Sequence, residues 1–213
     1  NFDSAKDFTY ISLVGSTPFL VVVGADVPAN TLPALIKLAQ RKPDAISVGT
    51  AGVGSAPYQG MRIFQDVAKV EFLHVPFKSG AESVTNVVSG QVNMPFEATP
   101  QVMPFVTSGK LRALAVASPH RLSTAPQVPS TAELGFPSLV SGSVAGLIGP
   151  AGLDPAIVKK LNAAVAKVAA DPKFKATLIA QGTEPAASSP EQFRKLISDE
   201  NQRWSALLGA GNK

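Results

Sequence analysis

Hydrophobic positions in this chain come in short β-branched runs separated by stretches with helical spacing. Phe19 to Val23 predicts a strand, and Asn30 to Gln40 a helix with Asn30 or Thr31 as cap and Pro33 tolerated in its first turn. The alternation continues through a strand at Ile46 to Val48, a helix at Ser55 to Ala68 and a strand at Phe72 to Val75. Next come a helix at Gly80 to Val88 stopped by Gly90, a strand at Val92 to Phe96, a helix at Pro100 to Thr107 stopped by Gly109, and a strand at Leu111 to Ala117. Strands and helices taking turns in this way call for a mostly parallel sheet covered by helices on its faces. In such sheets ligands sit beyond the carboxyl ends of the strands.

The pattern changes after residue 117. Pro119, Pro126, Pro129, Pro137 and Pro150 interrupt any long element, although Val144 to Ile148 reads as one more strand. A helical tail follows. Asp154 caps a helix with Pro155 in its first turn and an apolar stripe of Ile157, Val158, Leu161, Val165 and Val168. Asp171 and Pro172 open a shorter helix ended by Gly182. Ser189 and Gln192 fit a capping box for a last helix bearing Phe193, Leu196, Ile197, Trp204, Leu207 and Leu208. These helices need a sheet to cover, and Thr9 to Val14 offers only one early strand.

Composition narrows the classes. With 213 residues, 45% hydrophobic and 16% charged, the chain has material for one large domain or two small ones. The longest apolar run, Phe19 to Val23, is strand-sized and far short of a bilayer span. The first residues carry no cationic, apolar leader, so a targeting signal either never existed or has been removed. Cysteine is absent, which excludes disulfides and thiolate chemistry. The net charge of +4 is spread thinly, without a basic stripe interleaved with aromatics, which argues against nucleic acid as a partner.

The strongest chemical signal is the turn after the Ile46 to Val48 strand, which runs Gly49, Thr50, Ala51, Gly52, Val53, Gly54 and Ser55 into a helix. Backbone N–H groups at a helix N-terminus, together with the helix dipole, suit a carboxylate or phosphate. The phosphate motifs fail: Ser55 stands where a Walker loop needs lysine, and Pro57 where a dinucleotide fingerprint needs its third glycine. No glycine-x-serine-x-glycine elbow exists. Of the two histidines, His74 falls in a strand as a hydrogen-bonded structural residue or a catalyst, and His120 in a loop, so no transition-metal cluster is expected. Glu97 ends one strand as a helix cap, hinge partner or ligand contact, and Lys78 sits near the same rim, as a solvated lysine or a contact. A cleft with backbone amides and no catalytic constellation favours binding over catalysis, with no cofactor.

In their order and spacing, several strings resemble the tripartite tricarboxylate transporter solute receptors, the Bug or TctC-like family of periplasmic binding proteins. They are Asp3, Lys6, Asp7 and Phe8; Ser47 to Ser55; His74, Val75, Pro76, Phe77 and Lys78; Gly90, Gln91 and Val92; Gly109 to Val116; Val128, Pro129, Thr131, Glu133, Gly135 and Pro137; and Gly146, Leu147, Pro150, Ala151, Gly152, Leu161 and Asn162. The resemblance implies a type II periplasmic-binding-protein-like α/β fold, two doubly wound lobes joined by a hinge near Thr17 to Phe19 and Gly142 to Val144. It implies a complete second lobe at residues 18–142, with residues 1–17 and 143–213 as the remainder of a first lobe truncated at its N-terminus. By the same resemblance a ligand carboxylate is held by Thr50, Ala51, Gly52, Gly54, Ser55 and Ala56, with Lys78, Ser79 and Gly80 opening the neighbouring helix and Glu97, Ala98 and Thr99 shaping the distal end of the pocket. Tyr58, Glu97, Ala98 and Val144 stand where the family commonly has His, Asp, Asn and Trp. The implied function is capture of a small carboxylate (a di- or tricarboxylate, an aromatic acid or an amino acid) in the periplasm for membrane subunits of a tripartite transporter. The alternative is an enzyme or ligand-sensing regulator on the same fold.

Overall fold

The strand that opens the computed structural model is longer than the hydrophobic pattern predicts. Residues 3, 4 and 6–210 are described, with side chains described to residue 207. Strand β1 (Phe8–Gly24) runs for 17 residues without a break, joining the separate strands expected at Thr9 to Val14 and Phe19 to Val23. Gly15 and Pro18 read as punctuation in the sequence, but they lie where the strand changes neighbours. Gly15 and Ser16 pair with one partner and the ladder resumes with another from Phe19, so the N–H that Pro18 lacks is not needed there. The chain divides into two compact units, one made of Asn1–Ser16 with Val144–Lys213 and the other of Thr17–Ser143.

The unit Thr17–Ser143 is built on β2 (Ser47–Thr50), β3 (Leu73–Pro76), β4 (Met94–Ala98), β5 (Leu111–Val116) and the second half of β1, in the order β3-β2-β4-β1-β5. β2 lies parallel to β3 and to β4, whereas β1 lies antiparallel to both β4 and β5. The β1 orientation departs from the parallel alternation that the strand–helix order suggests. Hydrophobic runs report burial of both faces, which is the same for either direction. β2 and β4 also reach further than their apolar residues suggest, because Thr50, Glu97 and Ala98 continue the strands to the rim.

Helices α1 (Leu32–Arg41), α2 (Ala56–Ala68), α3 (Gly80–Val88) and α4 (Thr99–Thr107) cover this sheet. Thr31, Ser55 and Ser79 cap the first three, each hydroxyl accepting from the N–H three residues on. Leu20, Val22, Val84, Val87, Val102, Leu111, Val116 and Leu122 are buried in one cluster. A further group of aromatics packs edge to face, Phe19 on Phe96 at 5.8 Å and Phe64 on Phe72 at 5.2 Å between centroids.

In the other unit, β6 (Gly142–Pro150) and β7 (Glu184–Pro185) pair with β1, and α5 (Pro155–Ala170), α6 (Pro172–Ala180) and α7 (Pro190–Ala210) follow. The two-residue β7 is too short to leave a periodic signal. Asp154 and Asp171 cap α5 and α6 through their carboxylates. Ser189 and Gln192 form the reciprocal capping box: Ser189 N–H donates to Gln192 Oε1 at 2.9 Å, and Gln192 N–H to Ser189 Oγ at 3.1 Å. Asn162 Nδ2 ties β1 to the segment before α7 by donating to the carbonyls of Ile11 and Ser188. Tyr10 and Phe193 pack edge to face at 5.2 Å. Of the apolar positions expected on α7, the Leu208 side chain lies outside the described residues.

Candidate functional site

The carboxyl ends of β2, β3 and β4 share one edge of the Thr17–Ser143 sheet, and all the sequence-derived site residues lie on the three segments that leave it. β2 ends at Thr50 and the chain turns through Gly52 at φ +92° and Gly54 at φ +89° before Ser55 caps α2. Both glycines occupy the left-handed region that side chains rarely adopt. A Cβ on Gly54 would meet nothing within 4 Å, so open space stands beside this backbone.

Several of the turn's hydrogen-bonding groups are spent on holding its shape. Gly52 N–H donates to Thr50 Oγ1 at 3.2 Å, and Ser55 N–H and Oγ–H both donate to the Gly52 carbonyl. Thr50 is fully buried and its hydroxyl bonds His74 Nε2 at 2.8 Å, while the His74 ring lies 4.8 Å from that of Tyr58. Burial lowers the His74 pKa, which favours the neutral ring. The Thr50–His74 pair therefore supports the turn from beneath and offers no accessible nucleophile. The Ala51, Val53, Gly54 and Ala56 amides have no acceptor among the described residues, and Val53 is 74% exposed. Val53 is the crest residue missing from the sequence-derived set. His74 and Tyr58 act behind it; for His74 the signal was a polar residue in an otherwise apolar strand.

Around the neighbouring strand ends, Phe77 N–H donates to the Thr50 carbonyl at 2.9 Å, which fixes the segment after β3 against the turn. Lys78 is exposed, and its backbone N–H donates to Glu82 Oε2 at 3.0 Å. Ser79 caps α3, and Gly80 opens it. A Cβ on Gly80 would stand inside the carboxyl group of Glu97, so glycine is what lets β4 and the first turn of α3 come this close. Glu97 is only 3% exposed and its Oε1 makes no hydrogen bond. Burial pushes its pKa up to about 7, against a smaller downward pull from the Ala98 N–H. Ala98 is half-buried, and Thr99 is buried with its hydroxyl donating to the Pro18 carbonyl at 2.7 Å, a structural bond. One turn into α3, the Ser83 hydroxyl is likewise buried and without a partner. It was not foreseen, although its place three residues after Gly80 puts it on the same helix face.

The rim thus offers outward amides at one strand end and a buried carboxyl at another. Among the described residues no group of three or more His, Asp or Glu side chains is placed to hold a metal ion, and no helix is long and apolar enough to cross a membrane.

The structure of periplasmic binding protein BugD superposes on 98% of this chain with a TM-score of 0.79 at 26% identity, over 71% of its own length. The structure of R. palustris Rpa4515 with adipate superposes on 97% of this chain with a TM-score of 0.82 at 27% identity, over 69% of its own length. MatC (Rpa3494) from Rhodopseudomonas palustris with bound malate superposes on 97% with a TM-score of 0.76 at 27% identity, over 71% of its length. The model of the tripartite tricarboxylate transporter family receptor matches residues 1–212, and the chain belongs to that family. Protein BugT of Bordetella pertussis is 30% identical over 203 residues, which is 95% of this chain and 62% of BugT. The chain therefore spans about three-fifths of the length of this relative.

Proposed function

We propose that this chain is the ligand-capturing part of a periplasmic receptor that binds a small carboxylate and delivers it to the membrane subunits of a tripartite tricarboxylate-type transporter. The observation that carries the reading is the Gly52–Ser55 turn. Two left-handed glycines expose the Val53 and Gly54 amides at the start of α2, with open space in front and no side-chain cation required. Amides at a helix N-terminus hold a carboxylate by hydrogen bonds and by the helix dipole. Thr50, Ala51, Gly52, Gly54, Ser55 and Ala56 form this carboxylate end. Lys78, Ser79, Gly80, Glu97, Ala98 and Thr99 form the second wall. The adipate and malate held by the two similar structures support a carboxylate of this size.

The reading is tested by Gly54→Val. A branched residue at φ +89° strains the turn by about 1–3 kcal/mol and crowds the approach to the amides. Ligand-induced thermal stabilisation by a panel of mono-, di- and tricarboxylates is expected to vanish in a variant that keeps its native circular dichroism. Unchanged stabilisation in the folded variant would remove this turn from the site.

A further inference from the structure

Glu97 is an unusual group to find on the wall of a carboxylate site. Its carboxyl lies against the first turn of the nine-residue α3, in the notch that Gly80 leaves, with 3% of the residue exposed and Oε1 unbonded. A buried oxygen without a partner carries the full cost of its lost hydration, and a donor supplied from outside recovers it. Gly80, against which the carboxyl lies, is half-buried and follows the exposed Ser79 at the start of α3, so the carboxyl stands one residue behind that surface.

No cation contributes to the shift of this carboxyl; Lys78, on the same wall, is exposed. The elements packed on β4 are α2, α3, α4, β2 and the paired segment of β1. The β1 segment, β2 and α4 carry no ionisable side chain. α3 brings Glu82, whose Oε2 is engaged by the Lys78 N–H. α2 brings Tyr58, Arg62 and Asp66, the last paired to Lys69. His74 on β3 is committed to Thr50. The pKa of Glu97 is raised by burial, and no neighbouring charge contributes to its shift.

Resting on the reading that the Gly52–Ser55 turn holds a carboxylate, we propose that Glu97 makes this site selective for ligands whose far end donates a hydrogen bond. The best-bound class is then an amino-carboxylate, not a dicarboxylate. The ligand carboxylate would sit on the amides and its ammonium would pair with Glu97. A dicarboxylate would instead set a carboxylate against a carboxyl group and could bind only by keeping a proton between them. The two classes leave opposite proton signatures. An ammonium drives Glu97 to ionise and releases up to about half a proton at pH 7, given its pKa of about 7. A dicarboxylate takes a proton up.

The test compares ω-amino acids with α,ω-dicarboxylates of matched length, from three to six carbons, by titration calorimetry on the 213-residue chain at pH 7 in two buffers of different ionisation enthalpy. Tighter binding of the amino acids with net proton release is expected. Glu97→Gln should weaken amino-acid binding at least tenfold and abolish the release. Dicarboxylates that bind the wild-type chain as tightly as the amino acids, or with proton uptake, would overturn the selectivity and leave the carboxylate site standing. Failure of every probe in both series would overturn the site itself, and this inference with it. The proton measurement needs only the wild-type chain, so it decides the matter even where the Gln variant does not fold.

Discussion

The two units of this chain bury their apolar residues to different extents. In Thr17–Ser143, Leu20, Val22, Phe64, Met94, Phe96 and Val102 are all buried to within a percent or so. In the other unit Tyr10, Ile11, Ala169 and Phe193 are buried, while Val144, Leu147 and Ile148 on β6 and Ile157 and Val168 on α5 stand exposed. A sheet covered by helices on both faces converts its hydrophobic residues into stability. The exposed apolar residues of the other unit belong to a chain that spans about three-fifths of the length of the relative it matches. The unit with the larger buried core also carries the candidate site, whose geometry depends on the placement of a buried threonine, a histidine and a glutamate.

The largest effect that sharpens this comparison comes from truncating one large residue in each unit. Phe96→Ala removes a ring that packs on Phe19 and Phe64 and is expected to cost about 3–5 kcal/mol. Leu147→Ala, at a 37% exposed position, is expected to cost about 0.5 kcal/mol or less. Chemical denaturation of the two variants reads both numbers. A large loss from Leu147→Ala would break the contrast.

Next in size is a pH effect. Glu97 binds its proton more tightly in the folded chain, where its pKa is about 7, than in the unfolded chain, where 4.5 applies. Between those values the folded state holds the extra proton, so stability falls as pH rises from about 4.5 to about 7 and levels off above. The difference between wild type and Glu97→Gln isolates this slope, which amounts to at most about 3 kcal/mol. A pH-independent difference between the two proteins would mean that the carboxyl is ionised without penalty.

A more modest effect than the pH dependence lies at a helix cap of the other unit. Ser189→Ala breaks the capping box at the start of α7 and is expected to cost about 1 kcal/mol by thermal unfolding.

Much of this was legible in the sequence because the residues involved act locally. Thr31, Ser55, Ser79, Asp154 and Ser189 cap the helices that their spacing announces, and the glycines of the Gly52–Ser55 turn adopt the left-handed conformations that make such a turn. What escaped depends on partners distant in the chain. The unbroken β1 is decided by which strands flank Pro18, and its antiparallel direction leaves no trace in a pattern of buried residues. Glu97 was visible as a strand-end carboxylate, but its burial follows from Gly80, 17 positions earlier, having no side chain. The same holds for Ser83, whose hydroxyl lies where a Cβ on Gly49 would be.

The most direct test of the account is to follow backbone amide resonances of the chain while a carboxylate such as adipate or an ω-amino acid is added. The account predicts saturable shifts concentrated at Val53 and Gly54, with smaller ones at Ala98, and none along the exposed β6. Saturable shifts that leave Val53 and Gly54 unmoved would contradict it.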